Sequence, residues 1–328
     1  MSVITAPGIR GLMVRPYRHG DAAAITELIT RSDIADEVPW RMSVEEVESW
    51  LSRRNDKFDP TRDMRLVEVD GRPVAYWQVE WVDTTDGLRE YRLGCAVDPD
   101  WRGKGIGSWM LAEAEAYSRE RASALPSDRP HVYGNWQPDS AQAGIRLVER
   151  FGYEPVRYFF DMARPTLDGI VEQALPDGLE FRPVRDDQLL QLWNADVEAF
   201  QDHWGGFDGS PERLEEWKRD PKWDPTLFVV AWDGDEIAGG VINEINATEN
   251  AAFNRKRGWL ASVFVRRPWR RRGVGRALVA RSLVVFRDRG LTSAGLGVDA
   301  DNQTGALRLY TDAGFEVEFR STAFRKPM

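Results

Sequence analysis

The sequence predicts an α/β (α+β) protein made of two tandem copies of one domain, each a mixed sheet with helices on both faces. Three observations carry this expectation. The chain has 328 residues, more than one hydrophobic core usually organises. Landmarks recur in the same order at a nearly constant spacing of 162–168 residues, the mark of an internal repeat. Each copy also runs through hairpin-like segments and then strand, glycine-rich turn, helix, strand and helix, an order that suits a sheet covered on both sides.

The elements follow in order. Val14-Arg15-Pro16 opens the first copy and Phe181-Arg182-Pro183 the second, so short first strands are expected at Leu12–Tyr17 and Leu179–Val184. Helices follow at Asp21–Arg31 and Asp187–Phe200. Asp59-Pro60-Thr61 and Asp224-Pro225-Thr226 each precede an apolar strand. Hairpins are expected around Asp70-Gly71 and Asp233-Gly234, because Asp-Gly between β-rich runs favours a tight turn. Later strands end at Leu93–Val97 and Leu260–Val265. Long helices are expected at Gly107–Ala122 and Gly275–Arg289, then strands near His131–Gly134 and Ala294–Val298. Short helices end at Gly152 and Gly314. The two domains are placed at 1–168 and 176–328, joined through Thr166–Gly178, a segment that holds Gly169, Pro176 and Gly178.

Composition excludes several classes. The net charge of −9 disfavours nucleic acid as a partner. A single cysteine, Cys95, leaves no intrachain disulfide, and His19, His131 and His203 are too scattered for a metal site. The opening residues lack the basic and apolar regions of a signal peptide, and no apolar run reaches a membrane span. A soluble, cytoplasmic protein without metal or membrane attachment is expected. A monomer is favoured over a homodimer, since two fused domains can replace a pair of single ones.

The sharpest local feature is the turn after the fourth strand of each copy. In the second copy it reads Arg270-Arg271-Arg272-Gly273-Val274-Gly275-Arg276, and in the first Arg102-Gly103-Lys104-Gly105-Ile106-Gly107. The glycines permit a tight turn that exposes backbone N–H groups at a helix N-terminus. The basic side chains add positive charge where a pyrophosphate would lie. No Lys-Ser or Lys-Thr follows, so a nucleotide-triphosphate loop does not fit. The turn also comes late in each copy, unlike a dinucleotide fingerprint.

With Asn302, Ala306, Leu309-Tyr310 and Gly314-Phe315 downstream, these segments resemble the Gcn5-related N-acetyltransferase (GNAT) family. The resemblance covers most of the chain. It implies acetyl-CoA as cofactor and N-acetyl transfer to the amine of a small molecule. It also implies central strands that part after the fourth strand, with the pantetheine arm in the gap against Val263, Phe264 and Val265, and against Val97 in the first copy. The turn residues named above, with Asn302 and Ala306, would contact the coenzyme. Tyr310 would protonate the leaving sulfur, and Asn302 could equally cap the following helix.

The general base is open. The family often carries a carboxylate on the fourth strand, but Trp259–Val263 has none. Glu244, acting through a water, and His203 are the alternatives. Acidic residues Asp202, Asp208, Glu212, Glu215 and Glu216 in the acceptor region favour a cationic amine. The copies are unequal, since Asn302 falls on Ser140, Ala306 on Gly144 and Tyr310 on Val148. The first is expected to be catalytically degenerate and the second catalytic. A non-catalytic acyl-CoA sensor or pseudoenzyme is the competing reading.

Overall fold

A computed structural model of the chain describes residues 5–206, 209–302 and 305–328. The chain divides into two compact units, Met1–Arg157 with Ser321–Met328, and Tyr158–Arg320. Each copy's last strand therefore completes the other copy's sheet. The alternating apolar pattern marks these segments as strands but does not say which edge they join.

Unit 1 contains β1 (Leu12–Pro16), β2 (Met64–Val69), β3 (Arg72–Asp83), β4 (Arg89–Val97) and β5 (His131–Pro138). Neighbours pair antiparallel except β4 and β5, which run parallel. Residues 321–327 then pair antiparallel with β5, from Ser321↔Pro138 to Pro327↔Val132. Helices Ala22–Ala35 and Val44–Leu51 bury Ile25, Leu28 and Val47 against Leu66 and Tyr76. The second of these starts at a capping box, in which Ser43 and Glu46 exchange side-chain and backbone hydrogen bonds of 3.2 and 2.7 Å. Helices Ile106–Ala124 and Gln142–Arg150 bury Met110 and Val148 with Tyr91 and Leu93 in a separate cluster.

Unit 2 repeats the plan. The part of β6 (Glu154–Arg164) from Phe159 onward pairs antiparallel with β11 (Ser293–Asp299). The sheet continues through β10 (Arg257–Val265), β9 (Glu236–Glu244), β8 (Val229–Asp233) and β7 (Leu179–Phe181). Helix Leu189–Phe200 packs Leu192 and Ala195 with Trp232 and Phe264. Helix Val274–Asp288 packs Leu278 and Leu283 with Leu260 and Leu296. β12 (Glu316–Pro327) leaves this unit after Arg320.

The repeated landmarks have a physical cause. Asp59 and Asp224 each cap a short turn with proline in its first positions, accepting from the backbone N–H of Thr61 and Thr226 at 2.9 and 3.0 Å. Asp70 and Gly71 both have positive φ, 49° and 80°, as a two-residue turn between β2 and β3 requires. In unit 2 the hairpin turns one residue later, at Gly234-Asp235, with Gly234 at φ 56°. Among the described residues no helix is long and apolar enough to cross a membrane.

Candidate active site

The glycine-rich turns have the expected backbone. φ is positive at Arg271 (61°) and Gly273 (90°), and at Gly103 (76°) and Gly105 (87°). Helices Val274–Asp288 and Ile106–Ala124 begin there without a side-chain cap. The first four N–H groups of an α-helix lack intrahelical partners, so both turns offer donors and a positive helix end to an anion. Gly275 and Gly107 permit close packing, since a Cβ would lie 3.4 Å from Leu309 and 3.3 Å from Leu147.

The leading arginines do something else. Arg270 donates to the Val265 carbonyl at 2.9 Å, to Asp202 at 2.8 Å and to the Ala199 carbonyl at 3.3 Å. Arg102 donates to the Val97 carbonyl at 3.2 Å, to Asp36 at 2.7 Å and to Ser32 Oγ at 2.8 Å. Each guanidinium clamps the turn onto the end of its unit's first long helix. Arg267 and Arg270 hold the Asp202 carboxyl well below the usual carboxylate range. Arg271, Arg272 and Arg276 stay exposed beside the turn. In unit 1 Lys104 lies 4.3 Å over the Trp101 ring.

Beside each turn the two parallel strands part. β10 and β11 pair only over Arg257↔Ser293, Gly258↔Ala294 and Trp259↔Gly295. Beyond that, Val263, Phe264 and Val265 have no partner on β11. β4 and β5 pair from Arg89↔His131 to Arg92↔Gly134. The openings differ in two ways. The β9–β10 register slips between Leu260 and Ser262, a bulge at Ala261, whereas β3–β4 runs without a slip. In unit 1 the Asn135 amide reaches across and donates to the Leu93 carbonyl at 2.7 Å. The space beside it is a cavity of about 500 Å³, lined by Cys95, Ala96, Arg102, Asn135, Gly144 and Val148.

Tyr310 is buried, 5% exposed, with its ring edge-on to Phe315 at 6.1 Å. Burial pushes its phenol pKa up, so it stays protonated at neutral pH. No described residue accepts a hydrogen bond from its hydroxyl. Val148, at the matching place, is packed in the unit 1 core. Asn302 lies in the turn after β11, its N–H donating to the Asp299 carbonyl at 3.1 Å. It does not cap the next helix. Gly305, at φ 79°, takes that position and Ala306 is the first helical residue.

The proposed bases stand on different elements. Glu244 stands opposite Trp259 in the β9–β10 register. His203 stacks on Phe200 at 4.3 Å, and burial lowers its pKa, so it is neutral at pH 7. Glu212, Glu215 and Glu216 lie on the short helix Pro211–Trp217, and Glu215 and Glu216 pair with Lys218 and Arg213. Asp208 lies outside the described residues. Among the described residues no group of three His, Cys, Asp or Glu could hold a metal ion.

Sequence reasoning passed over two carboxylates beside the opening. Asp196, 3% exposed on helix Leu189–Phe200, accepts from Ser262 Oγ at 2.6 Å, just past the bulge. Burial raises its pKa to about 7. Asp161 pairs with Gly297 on the exchanged strand β6. Burial, with Glu249 and Glu318 nearby, raises it to about 6. Asp196 had one available signal, a lone acid on the apolar side of its helix. Asp161 had none, because its sheet partner comes from the other copy.

Two family models match the chain, "Acetyltransferase (GNAT) domain" over residues 61–155 and "Acetyltransferase (GNAT) family" over residues 189–315. The mycothiol acetyltransferase of Thermobispora bispora is 31% identical over 222 residues, 67% of this chain and 70% of that protein. That of Geodermatophilus obscurus is 29% identical over 259 residues, 77% and 79% of the two chains. A GCN5-related N-acetyltransferase from Sphaerobacter thermophilus superposes with a TM-score of 0.71 at 29% identity, covering 98% of this chain and 97% of that one. A tandem GNAT protein from the clavulanic acid biosynthesis pathway shares the fold, with a TM-score of 0.67 at 16% identity over 96% and 98% of the chains. Turn, parted strands and relatives agree: the chain belongs to the GNAT acetyltransferase family, carries two such domains in tandem, and is an acetyl-CoA-dependent N-acetyltransferase.

Proposed function

We propose that unit 2 alone carries out the transfer, moving acetyl from acetyl-CoA to the amine of a small molecule, and that unit 1 is a degenerate partner. The observation that carries this is the bulged opening between β10 and β11, set between an anion-binding turn and Tyr310. Acetyl-CoA supplies an acyl carbon activated as a thioester. The N–H groups of Arg271 to Arg276 would hold its pyrophosphate, with Arg271, Arg272 and Arg276 adding charge. Arg270 serves this site by fixing the turn. Val263 to Val265, which have no partner on β11, would face the pantetheine arm, apart from the Val265 carbonyl, which Arg270 already occupies. Tyr310 is a protonated phenol able to donate to the departing sulfur.

The relatives support one narrower reading. Those cited are mycothiol acetyltransferases, and matches of this kind cover up to 82% of the chain. Mycothiol synthesis is therefore the first acceptor chemistry to try. Against identity stands Trp259, where a carboxylate is expected on the fourth strand.

The test measures thiol release from acetyl-CoA by the full chain across a panel of primary amines, mycothiol precursors included, with calorimetry of acetyl-CoA binding. Amine-dependent release supports transfer. Binding without release under any amine would favour a sensor.

A further inference from the structure

The face of β11 turned away from helix Val274–Asp288 has an unusual surface. Gly295 and Gly297 are neighbours on that face, since strand residues two apart point the same way. A Cβ at Gly295 would come within 3.0 Å of the Trp259 ring and 3.1 Å of Arg257 Cδ. A Cβ at Gly297 would lie 3.6 Å from Asp161 Oδ1. The missing side chains form a trough into which β10 and β6 lean, one with an indole and the other with a carboxylate. Gly297 is exposed.

Register places this trough at the reaction centre. Gly295 is the last β11 residue paired to β10, so Gly297 lies two residues into the opening. On the other wall the Ala261 bulge lies two residues past Trp259. Asp161 therefore flanks the mouth of the gap that would present the thioester. Unit 1 has different side chains at the same place. Trp136, two residues past the last pair there, is opposite Ala323, so an indole stands where unit 2 has a glycine and a methyl where it has a carboxylate.

The charges around Asp161 are accounted for. Arg257 on β10 is paired with Glu318 on β12 at 2.5 and 2.9 Å. Glu249, on the short helix Ala247–Ala252, pairs with Arg255 and accepts from the Trp259 indole at 2.8 Å. Asp161 has no hydrogen-bond or ion-pair partner among the described residues. A half-buried carboxylate in that position gains from a cation and is costly without one.

We infer that Asp161 receives the acceptor's primary ammonium in this trough and removes one proton from it. This rests on unit 2 being the acetylating site. The carboxylate takes a proton from R–NH₃⁺, and the freed amine attacks the thioester carbon. The N–C bond forms and the C–S bond breaks. The thiolate takes a proton from Tyr310, which recovers one from the acylated nitrogen, and Asp161 releases its own to solvent. A primary amine whose body can lie against an indole face is the class that fits.

The test uses the full chain as wild type, Asp161→Asn, Asp161→Glu and Gly297→Trp, with acetyl-CoA calorimetry and thiol release under the amine panel from pH 5 to 9. Asp161→Asn should keep acetyl-CoA affinity within about twofold and lose about 10²–10⁴-fold in amine kcat/KM. The acid limb near pH 6 in the wild type should vanish in Asp161→Asn and return, shifted, in Asp161→Glu. Gly297→Trp should raise the amine KM and spare acetyl-CoA affinity. A wild-type rate in Asp161→Asn, or a fall with the acid limb unchanged, overturns the assignment while leaving unit 2 as the site. Failure of the unaltered chain to bind acetyl-CoA overturns both.

Discussion

Where β4 leaves β5, unit 1 has Asn135, whose amide bridges the opening to the Leu93 carbonyl, and Gln137 donates to Asn135 in turn at 2.6 Å. Where β10 leaves β11, unit 2 has Leu296, which has no group to donate, and an extra residue at Ala261. The turns that follow keep the same alternation of positive φ. The difference separates two demands on the fold. A strand must reach its helix through a tight turn whether or not coenzyme binds, so the turn survives in both units. An open gap serves no packing purpose, and unit 1 bridges part of it with an amide, leaving a cavity beside it.

The largest effect should come from the residue with no counterpart in unit 1. Tyr310→Phe should slow turnover by about 10²–10⁴-fold, the usual worth of a general acid, and leave acetyl-CoA affinity unchanged by calorimetry. An undiminished rate would erase the main chemical distinction between the units.

Asp196 gives the next largest effect, on stability. Its folded pKa of about 7 lies above the unfolded value of roughly 3.9. The folded state then binds the extra proton between those values, and stability falls as pH rises from about 4 through 7. Asp196→Asn removes that loss. Denaturant midpoints should show the variant more stable at pH 8, by up to about 4 kcal/mol from a shift of roughly 3 units. Near pH 4 it should gain nothing. Equal gains at both pH values would mean that the buried carboxylate is not what titrates.

The clamps come third. Arg270→Ala and Arg102→Ala should each cost about 1–3 kcal/mol in urea unfolding, since the first leaves the Val265 and Ala199 carbonyls without their side-chain donor, Asp202 keeping Arg267, and the second leaves Asp36 and the Val97 carbonyl without theirs. Arg270→Ala should also weaken acetyl-CoA binding about tenfold, and Arg102→Ala should reduce turnover less. Equal losses would tie unit 1 to the reaction.

The smallest effect tests the turn itself. Gly103→Ala should cost about 1 kcal/mol, while Arg271→Gly should change stability by no more than about 0.5 kcal/mol. A large gain from Arg271→Gly would mark its positive φ as strain held for a ligand.

The repeat was legible because its landmarks are local. Asp-Pro-Thr caps, the Asp70-Gly71 turn and the Gly105 and Gly273 positions are each dictated by backbone geometry within a few residues. The replacement of Tyr310 by Val148 was legible for the same reason, as a single difference within aligned segments. The destinations of side chains were not. Arg270 and Arg102 read as phosphate ligands, yet their partners Asp202 and Asp36 lie 68 and 66 residues away. Asp161 and the two glycines beneath it meet only because β6 pairs with β11, and no periodicity encodes that choice. The bulge at Ala261 is a register slip between strands, invisible in either strand alone.

The exchanged strands also set an order in time. β5 belongs to the first half of the chain, yet its outer edge is satisfied by Ser321 to Pro327, which are made long after it. Unit 1 is begun first and finished last. Until those residues emerge, β5 has a bare row of N–H and C=O groups, the kind of edge that pairs with strangers. β11 finds β6 already made when it appears. Unit 2 has all its residues once Arg320 is made, while unit 1 must wait for Ser321 to Met328 beyond it. Removing Ser321 to Met328 would take no residue from unit 2, with its turn at Gly273 and Tyr310, and would leave β5 without its outer partner.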